Sequence, residues 1–355
     1  MSTPNTNKNI LIVPDIYAFY RHSIFKFLSN HAQSFGFKFF IACDLRHKLK
    51  NNLPLIDKKT LERDSINIIN IKSFDISRVT IYQSGLFNAF FNLRPTVVIA
   101  WGDAYRISTW ILLFICKLNK VPIIFWSHGL YGRENVFLYY WRVFFYSLSD
   151  EIWLYGRHSL NLFERFPSLF RKSYIIGNSL RPNIDKGHMH LQLYKRSQEE
   201  SKISTKNIVN LLFVGRLNDK KGLIKSLTML SDYINLYSND DKNFVNFRWI
   251  ICGSGPLASQ IVNLINYHDL SLHVSLIPGT FDKECLMKLF LDADIYFQPN
   301  GLGLGGYNAQ YHGLPIITSS NYANQMPEVD CIDDTNGFFY DENSALSFFD
   351  ALKSV

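Results

Sequence analysis

The chain has 355 residues, of which 47% are hydrophobic and 19% charged, a composition typical of a globular protein with room for two domains. Its five cysteines include no C-x-x-C pair, so neither a zinc site nor a disulfide framework is indicated, and a reducing cytoplasm fits. The basic residues are dispersed without a nucleic-acid motif, which argues against nucleic acid as a partner. The longest apolar runs, 107–116 and 136–148, are too short to span a bilayer, and the polar N-terminus precedes too few apolar residues for a signal peptide.

The charge is unevenly distributed along the chain. Residues 1–185 contain 23 Lys and Arg against 12 Asp and Glu, whereas residues 186–355 contain 14 against 18. A basic and aromatic N-terminal half indicates contact with anionic lipid headgroups or a phosphorylated carrier. The alternative is a basic surface that only keeps the protein soluble.

The first half alternates short apolar runs with amphipathic segments. Together they predict a doubly wound α/β domain over residues 1–185. For the helix at 135–148, whose aromatic side chains share one face, we expect packing in the core, with a membrane contact as the alternative. The predicted strands are 10–13, 37–42, 66–71, 96–100, 122–126, 151–155 and 174–176. Helices are expected after the first strand, at 105–118, at 135–148, and between the last two strands.

A polar stretch without periodicity follows, and we place a linker at 186–206. A second α/β series occupies 207–355. The sequence therefore predicts two Rossmann-like doubly wound domains facing across a cleft, with ligands at the carboxyl ends of the strands. The predicted strands of this series are 209–214, 247–252, 274–277, 295–297 and 315–318, and the predicted helices are 222–236, 257–267, 283–292 and one short helix before Gly313.

The stretch from 295 to 318 reads strand, glycine loop, short helix, strand. Its glycines allow close approach of the backbone to a ligand or positive φ angles. The first turn of the following helix presents free N–H groups, which suit a phosphate. The alternative is a glycine-rich turn that binds nothing, because glycine fingerprints are unspecific.

Two cations follow the first strand of the second series. Arg216 ends the strand and Lys221 lies at the start of the next helix. A guanidinium fork and a flexible ammonium together suit a diphosphate and neutralise a nucleotide leaving group. Taken alone, two such cations are more often surface charges.

The order FVGRLNDKKG, ICGSGPL, ADIYFQPN, the glycine loop with HGLPII, and PEVDCIDDTNGFFY resembles the C-terminal domain of retaining glycosyltransferases of family 4, which have the GT-B architecture. The resemblance covers about residues 208–345. The stretch WSHGLYGRE, at 126–134, resembles a histidine turn of capsule and O-antigen members. The resemblance implies a nucleotide-sugar donor, retention at the anomeric carbon, and neither a metal nor a cofactor.

The resemblance also implies roles for particular residues. Arg216 and Lys221 would bind the diphosphate, and His128 would lie near the donor sugar or the acceptor. Family members carry two glutamates across the glycine loop where this chain has Asn300 and Asn308. Asparagine still forms hydrogen bonds to hydroxyls but removes a negative charge. The backbone N–H groups of the glycine turn would bind the diphosphate as well; the residues of this turn are Gly303, Leu304, Gly305 and Gly306.

Candidate catalytic residues of the N-terminal half are His128, Asp103 and Asp15, which all follow strands and are candidates for orienting or deprotonating the acceptor hydroxyl. The alternative for His128 is a buried structural histidine. No carboxylate nucleophile for a covalent route is identifiable, and the family implies a front-face mechanism assisted by the departing phosphate. For acceptor binding we expect Tyr17, Arg21 and Arg133.

These observations predict a cytoplasmic glycosyltransferase, peripheral to the inner face of the cytoplasmic membrane, that extends a glycan or lipid-linked glycan of a surface polysaccharide. Two alternatives remain: a non-catalytic GT-B subunit that binds a nucleotide or a partner enzyme, which the two asparagines favour, and a GT-B nucleotide-sugar epimerase. Many relatives continue beyond the last motif with further helices. We therefore expect this chain to be either a short member of the family or a truncated chain.

Overall fold

The computed structural model describes residues 8–18, 21–45, 58–76, 79–178, 208–237 and 244–354. The chain divides into two compact units, Met1–Arg181 and Pro182–Val355. The predicted linker at 186–206 lies outside the described residues.

The first unit is built on a seven-stranded parallel sheet with the order β3-β2-β1-β6-β7-β8-β9. β4 and β5 form a separate antiparallel pair. The strands are β1 (Lys8–Val13), β2 (Phe37–Cys43), β3 (Asn67–Asn70), β4 (Lys72–Ile76), β5 (Val79–Ser84), β6 (Val97–Trp101), β7 (Ile123–Ser127), β8 (Glu151–Leu154) and β9 (Ser173–Ile175). The helices are α1 (His22–Ala32), α2 (Lys58–Arg63), α3 (Leu86–Leu93), α4 (Ile107–Leu118), α5 (Val136–Ser147), α6 (Arg157–Phe163) and α7 (Pro167–Phe170).

The second unit has a six-stranded parallel sheet with the order β12-β11-β10-β13-β14-β15. The strands are β10 (Val209–Arg216), β11 (Phe247–Ser254), β12 (Val274–Pro278), β13 (Ile295–Phe297), β14 (Ile316–Ser319) and β15 (Gly337–Tyr340). The helices are α8 (Leu223–Tyr237), α9 (Ala258–Tyr267), α10 (Lys283–Asp292), α11 (Leu304–Tyr311) and α12 (Ala345–Lys353).

Both sheets are hydrophobic through their central strands. Leu11 and Val98 in the first unit, and Leu211 and Ile295 in the second, are almost completely buried. Strands covered on both faces by helices carry such continuous apolar runs. In each sheet the strand order reverses beside the first strand of the unit, which places a crevice at the carboxyl ends of β1 and β6 and another at those of β10 and β13.

The expected α/β architecture is confirmed in both units, and each strand predicted in the described residues is present with its ends shifted by at most a few residues. The antiparallel pair β4–β5, the strand β15 and the helices α2, α3 and α12 were not predicted, and the single helix expected between β8 and β9 is divided into α6 and α7. None of the helices within the described ranges is long and apolar enough to cross a membrane.

One expectation about the helix at 135–148 is wrong. Phe145 and Tyr146 pack in the core, but Phe137 is 77% exposed and Phe144 is exposed as well. The helix is apolar on more than one face, and only one face can contact the sheet. The aromatic face that we expected in the core lies at the surface.

Candidate functional site

The crevice of the second unit brings together two segments that the sequence singled out. One is the cation-bearing loop after β10, and the other is the glycine-rich loop after β13. The loop after β10 contacts the loop after β13 through two hydrogen bonds. The Lys221 ammonium donates to the carbonyl of Gly301 over 2.5 Å, and the Asn300 N–H donates to the carbonyl of Lys221 over 3.1 Å. The predicted convergence of these two segments is therefore present in the structure.

Two glycines make this contact possible. Gly222 has φ +69°, and a Cβ at this position would lie 2.8 Å from Nδ2 of Asn300. Gly301 has φ +58°, and its Cβ would lie 2.7 Å from the carbonyl oxygen of Lys220. Because both positions combine a left-handed backbone with a close neighbour, only glycine fits them.

The short helix α11 begins directly after the glycine loop, with Gly303 at its N-cap. Among the described residues, no side chain caps this end of the helix. A Cβ on Gly305 would lie 2.1 Å from the hydroxyl of Tyr296, so the first turn packs closely on β13. An uncapped helix N-terminus of this kind attracts an anion through its N–H groups and its dipole.

Lys221 is partly buried beside this turn. Burial lowers the pKa of its ammonium to about 8, and the neighbouring charges of Arg216 and Lys220 act in the same direction, while the carboxylate of Glu328 opposes them. Arg216 is exposed at the end of β10. The crevice therefore holds two cations and a helix N-terminus, a combination of groups that suits a diphosphate.

The two asparagines at the positions where the resemblance predicts glutamates differ in their contacts. Nδ2 of Asn300 donates to Oε2 of Glu342 over 2.8 Å. Asn308 lies within α11, where its backbone carbonyl accepts a hydrogen bond from Nδ1 of His312 over 2.7 Å. Burial raises the pKa of Glu342, but hydrogen bonds from Asn321 and Asn300 outweigh it, so the pKa lies below its ordinary value.

In the first unit, the two predicted catalytic carboxylates lie at the carboxyl ends of β1 and β6. Asp15 forms an ion pair with the buried guanidinium of Arg106. Oδ1 of Asp103 accepts from the N–H of Tyr105 over 3.0 Å, which closes a local turn. Both carboxylates thus stabilise loops at the carboxyl edge of the first sheet, and that of Asp15 does so through an ion pair.

His128 follows β7 and packs among aromatic rings. Its ring centroid lies 4.7 Å from that of Tyr155 and 5.9 Å from that of Trp101. Desolvation, with the charges of Arg21 and Arg142, lowers the pKa of His128 to about 4. Its Nδ1 is buried without a hydrogen-bond partner in the part of the chain that the structure describes. The imidazole is therefore neutral at pH 7 and retains an unused polar atom.

The loop that carries His128 is fixed by Arg142 of α5. Its guanidinium donates to the carbonyl of Gly129 and to the hydroxyl of Tyr146 over 3.3 Å. Gly129 has φ +64°, and a Cβ there would lie 1.9 Å from Oγ of Ser159. The turn after His128 is thus built around a glycine and a buried arginine.

The three predicted acceptor-binding residues lie in different surroundings. Tyr17 is buried, and its hydroxyl contacts Nδ1 of His22 over 3.0 Å. Arg21 is buried as well, donates to the hydroxyl of Tyr155 over 2.9 Å and stacks on Trp101. Arg133 is exposed above the ring of Tyr131. Of the three side chains, that of Arg133 is accessible to a ligand without rearrangement.

The sequence interpretation missed Glu342, Glu328 and Arg142. Glu342 follows the end of β15, so its position after a strand was a usable signal. Glu328 lies in the PEVD segment quoted for the resemblance, but its electrostatic action on Lys221 depends on tertiary structure. Within the described ranges, no three His, Cys, Asp or Glu side chains lie together as metal ligands would.

Comparison with known proteins agrees with this architecture. Residues 195–355 match the family model described as glycosyl transferases group 1. Among solved structures, the apo lipopolysaccharide outer core galactosyltransferase WaaB is 13% identical with a TM-score of 0.64, over 97% of this chain and 89% of that one. The chain has the GT-B fold. No curated protein matches it in sequence.

Other proteins of the GT-B fold differ in activity. Anabaena HepE in complex with UDP is 11% identical with a TM-score of 0.63, over 98% of this chain and 89% of that one. A UDP-GlcNAc 2-epimerase from Methanocaldococcus jannaschii is 13% identical with a TM-score of 0.54, over 98% of this chain and 92% of that one. The transferase family model thus matches the second unit, whereas the fold of the whole chain is shared with an epimerase as well.

Proposed function

We propose that this protein is a retaining glycosyltransferase of the hexosyltransferase type, which transfers a sugar from a nucleotide-sugar donor to a glycan or lipid-linked glycan in polysaccharide biosynthesis. The observation that carries the proposal is the contact of Lys221 with the carbonyl of Gly301, beside an uncapped helix N-terminus. This arrangement concentrates positive potential where a diphosphate leaving group gains charge as the glycosidic bond breaks. The match of residues 195–355 to a transferase family supports it over the epimerase alternative.

In this proposal the residues of the second unit bind the donor. Lys221 and Arg216 neutralise the diphosphate, and the first N–H groups of α11 donate hydrogen bonds to its oxygens. Because these groups supply the positive charge, we propose that the reaction needs no metal ion, and chelators should leave activity unchanged. Asn300 and Asn308 would meet donor hydroxyls as neutral hydrogen-bonding groups.

The residues of the first unit bind the acceptor. We propose that neutral His128 accepts a hydrogen bond from the acceptor hydroxyl, which keeps that hydroxyl oriented for attack on the same face that the diphosphate leaves. Arg133 provides an exposed cation for an anionic acceptor, such as a glycan linked to a lipid phosphate. A lipid-linked acceptor would place the protein at a membrane surface on the cytoplasmic side.

The first test is thermal stabilisation of the full chain by a panel of nucleotides and nucleotide sugars. UDP and UDP-glucose are included because HepE structures contain them. We expect one nucleotide family to raise Tm in the wild type and not in Lys221→Met. The matched control is Lys220→Met, which removes an exposed lysine from the same loop and should keep the response.

A transfer assay then separates the reaction classes. With the stabilising donor, a transferase forms product only when an acceptor glycan is present. An epimerase converts the donor sugar or releases nucleotide without any acceptor, and either result would refute a transferase. Donor binding without product from any acceptor would instead support a non-catalytic subunit.

A further inference from the structure

Two neighbouring helices of the first unit expose apolar side chains in continuous stripes. On α4, Ile107, Ile111, Phe114 and Leu118 are all exposed, with Leu118 at 84%. Their spacing of four, three and four residues places them on one helix face. α4 thus turns an apolar stripe away from the sheet that it covers with Leu112, Leu113 and Cys116.

The stripe continues onto α5. Phe137, Tyr140, Trp141 and Phe144 are exposed there at helical spacing. The rings of Trp110 on α4 and Trp141 on α5 lie 5.0 Å apart, so the two helices are direct neighbours. We call the exposed side chains of both stripes the α4–α5 face. A contiguous surface of this kind differs from the single exposed apolar residues that every protein carries.

The charges in and around this face are mainly of one sign. Within α4 and α5 the charged residues are Lys117 and Arg142, and neither helix contains an acidic residue. Arg142 is buried, so only Lys117 of these two contributes charge to the surface. Lys117 also pairs with Asp150, just beyond α5. Exposed Lys120 follows the end of α4, and exposed Arg133 lies just before α5. The face therefore combines Trp, Tyr and Phe with a basic border.

We infer that the α4–α5 face docks on a lipid bilayer that contains anionic lipids. Aromatic rings with polar tips bind at the headgroup level, and aliphatic side chains enter the acyl boundary beneath it. Basic residues at the border are attracted by anionic headgroups. The 23 Lys and Arg against 12 Asp and Glu of residues 1–185 add to this attraction.

A second copy of the chain fits this face less well. A two-fold interface brings the same patch together from both subunits, so the basic borders would approach one another. An anionic bilayer instead offers the opposite charge. The inference rests on the proposed function in one respect: a lipid-linked acceptor would give the transferase a reason to bind the bilayer.

The test is co-sedimentation of the full chain with vesicles of phosphatidylcholine, alone or with 30% phosphatidylglycerol. We expect binding to the anionic vesicles that weakens with salt. The double variant Phe137→Glu/Phe144→Glu should weaken it by at least about tenfold, because two rings leave the apolar layer. The matched control, Phe35→Glu/Tyr267→Glu, changes two exposed aromatic residues outside the face and should stay within about twofold of wild type.

Several results would overturn the inference. These are absence of vesicle binding by the wild type, equal loss in both double variants, or undiminished binding by the face variant. A wild-type dimer that the face variant dissociates would assign the face to a second copy. Stabilisation by nucleotide is measured on the same samples, so a failed donor site and a failed membrane face give separate signals.

Discussion

The side-chain amide of Asn300 donates a 2.8 Å hydrogen bond to the carboxylate of Glu342, which lies just after β15. The other oxygen of Glu342 accepts from Asn321 over 2.9 Å. A carboxylate only accepts hydrogen bonds, so the nitrogen of the Asn300 amide faces Glu342 and its oxygen is turned away. The resemblance places a glutamate at position 300, and a second carboxylate here would be repelled by Glu342. The neutral side chain at position 300 thus forms a hydrogen bond with a carboxylate that follows a different strand of the sheet.

Restoring a negative charge at position 300 should therefore destabilise the protein. In Asn300→Asp, two carboxylates would share one site, which raises their pKa values in the folded state and costs about 1–3 kcal/mol at pH 7. Since protonation removes the repulsion, the free energy of unfolding of Asn300→Asp should be close to that of the wild type near pH 4. It should fall below the wild-type value as pH rises toward 7. Urea unfolding across this range measures the effect. The exposed control Asn266→Asp should show no such pH dependence, and a flat profile for Asn300→Asp would contradict the pairing.

Donor affinity should depend on the protonation of Lys221. With a pKa lowered to about 8 by burial, the ammonium is charged at pH 7 and loses its proton as pH rises toward 9. Only the charged form attracts a diphosphate, so affinity for the stabilising nucleotide sugar should fall over this range. Isothermal titration at pH 7.0, 8.0 and 9.0 measures the change. Lys221→Met should bind weakly at all three values, and an equal slope in this variant would assign the titration to another group.

His128 should reduce stability in acid. Its folded pKa of about 4 lies below the ordinary value of 6.5, so the unfolded chain binds the extra proton as pH falls from 6.5 to 4. The wild type should lose about 2.5 kcal/mol over this range through His128 alone. In matched urea titrations, the free energy of unfolding of His128→Gln should fall by that much less than the free energy of unfolding of the wild type. The same losses in both proteins would show that the histidine is not desolvated.

The hydroxyl of Tyr146 should contribute to the stability of the first unit. It is fully buried and lies 2.6 Å from Oγ of Ser127, and it donates to the carbonyl of Gly102 over 3.1 Å. Tyr146→Phe removes these hydrogen bonds. Oγ of Ser127 still donates to the carbonyl of Gly102 and accepts from the N–H of Gly129, so the cost should be about 0.5–1.5 kcal/mol. Thermal and urea unfolding report the loss. Tyr140→Phe, which changes an exposed tyrosine on the same helix, should differ from wild type by less than about 0.5 kcal/mol.

Periodicity in the sequence was sufficient to place the strands and the main helices. Runs such as those of β10 and β13 are apolar because both faces of a parallel strand are covered, so the pattern is present before any tertiary contact forms. Alternation of these runs with helical segments predicted the α/β class. The glycine loop after β13 was recognisable in the sequence as a place for positive φ angles or close approach of the backbone, and Gly301 in this loop has φ +58°.

The sequence could not show which residues meet across the sheets. Glu342 is distant from Asn300 along the chain and reaches it because β15 and β13 flank β14 in one sheet. Likewise, the aromatic residues of α5 look alike in the sequence, and only packing against the sheet separates buried Phe145 from exposed Phe137. Local patterns determine which elements form, since they depend on neighbours within a few residues. Burial, ion pairs and pKa values depend on residues that only the folded chain brings together.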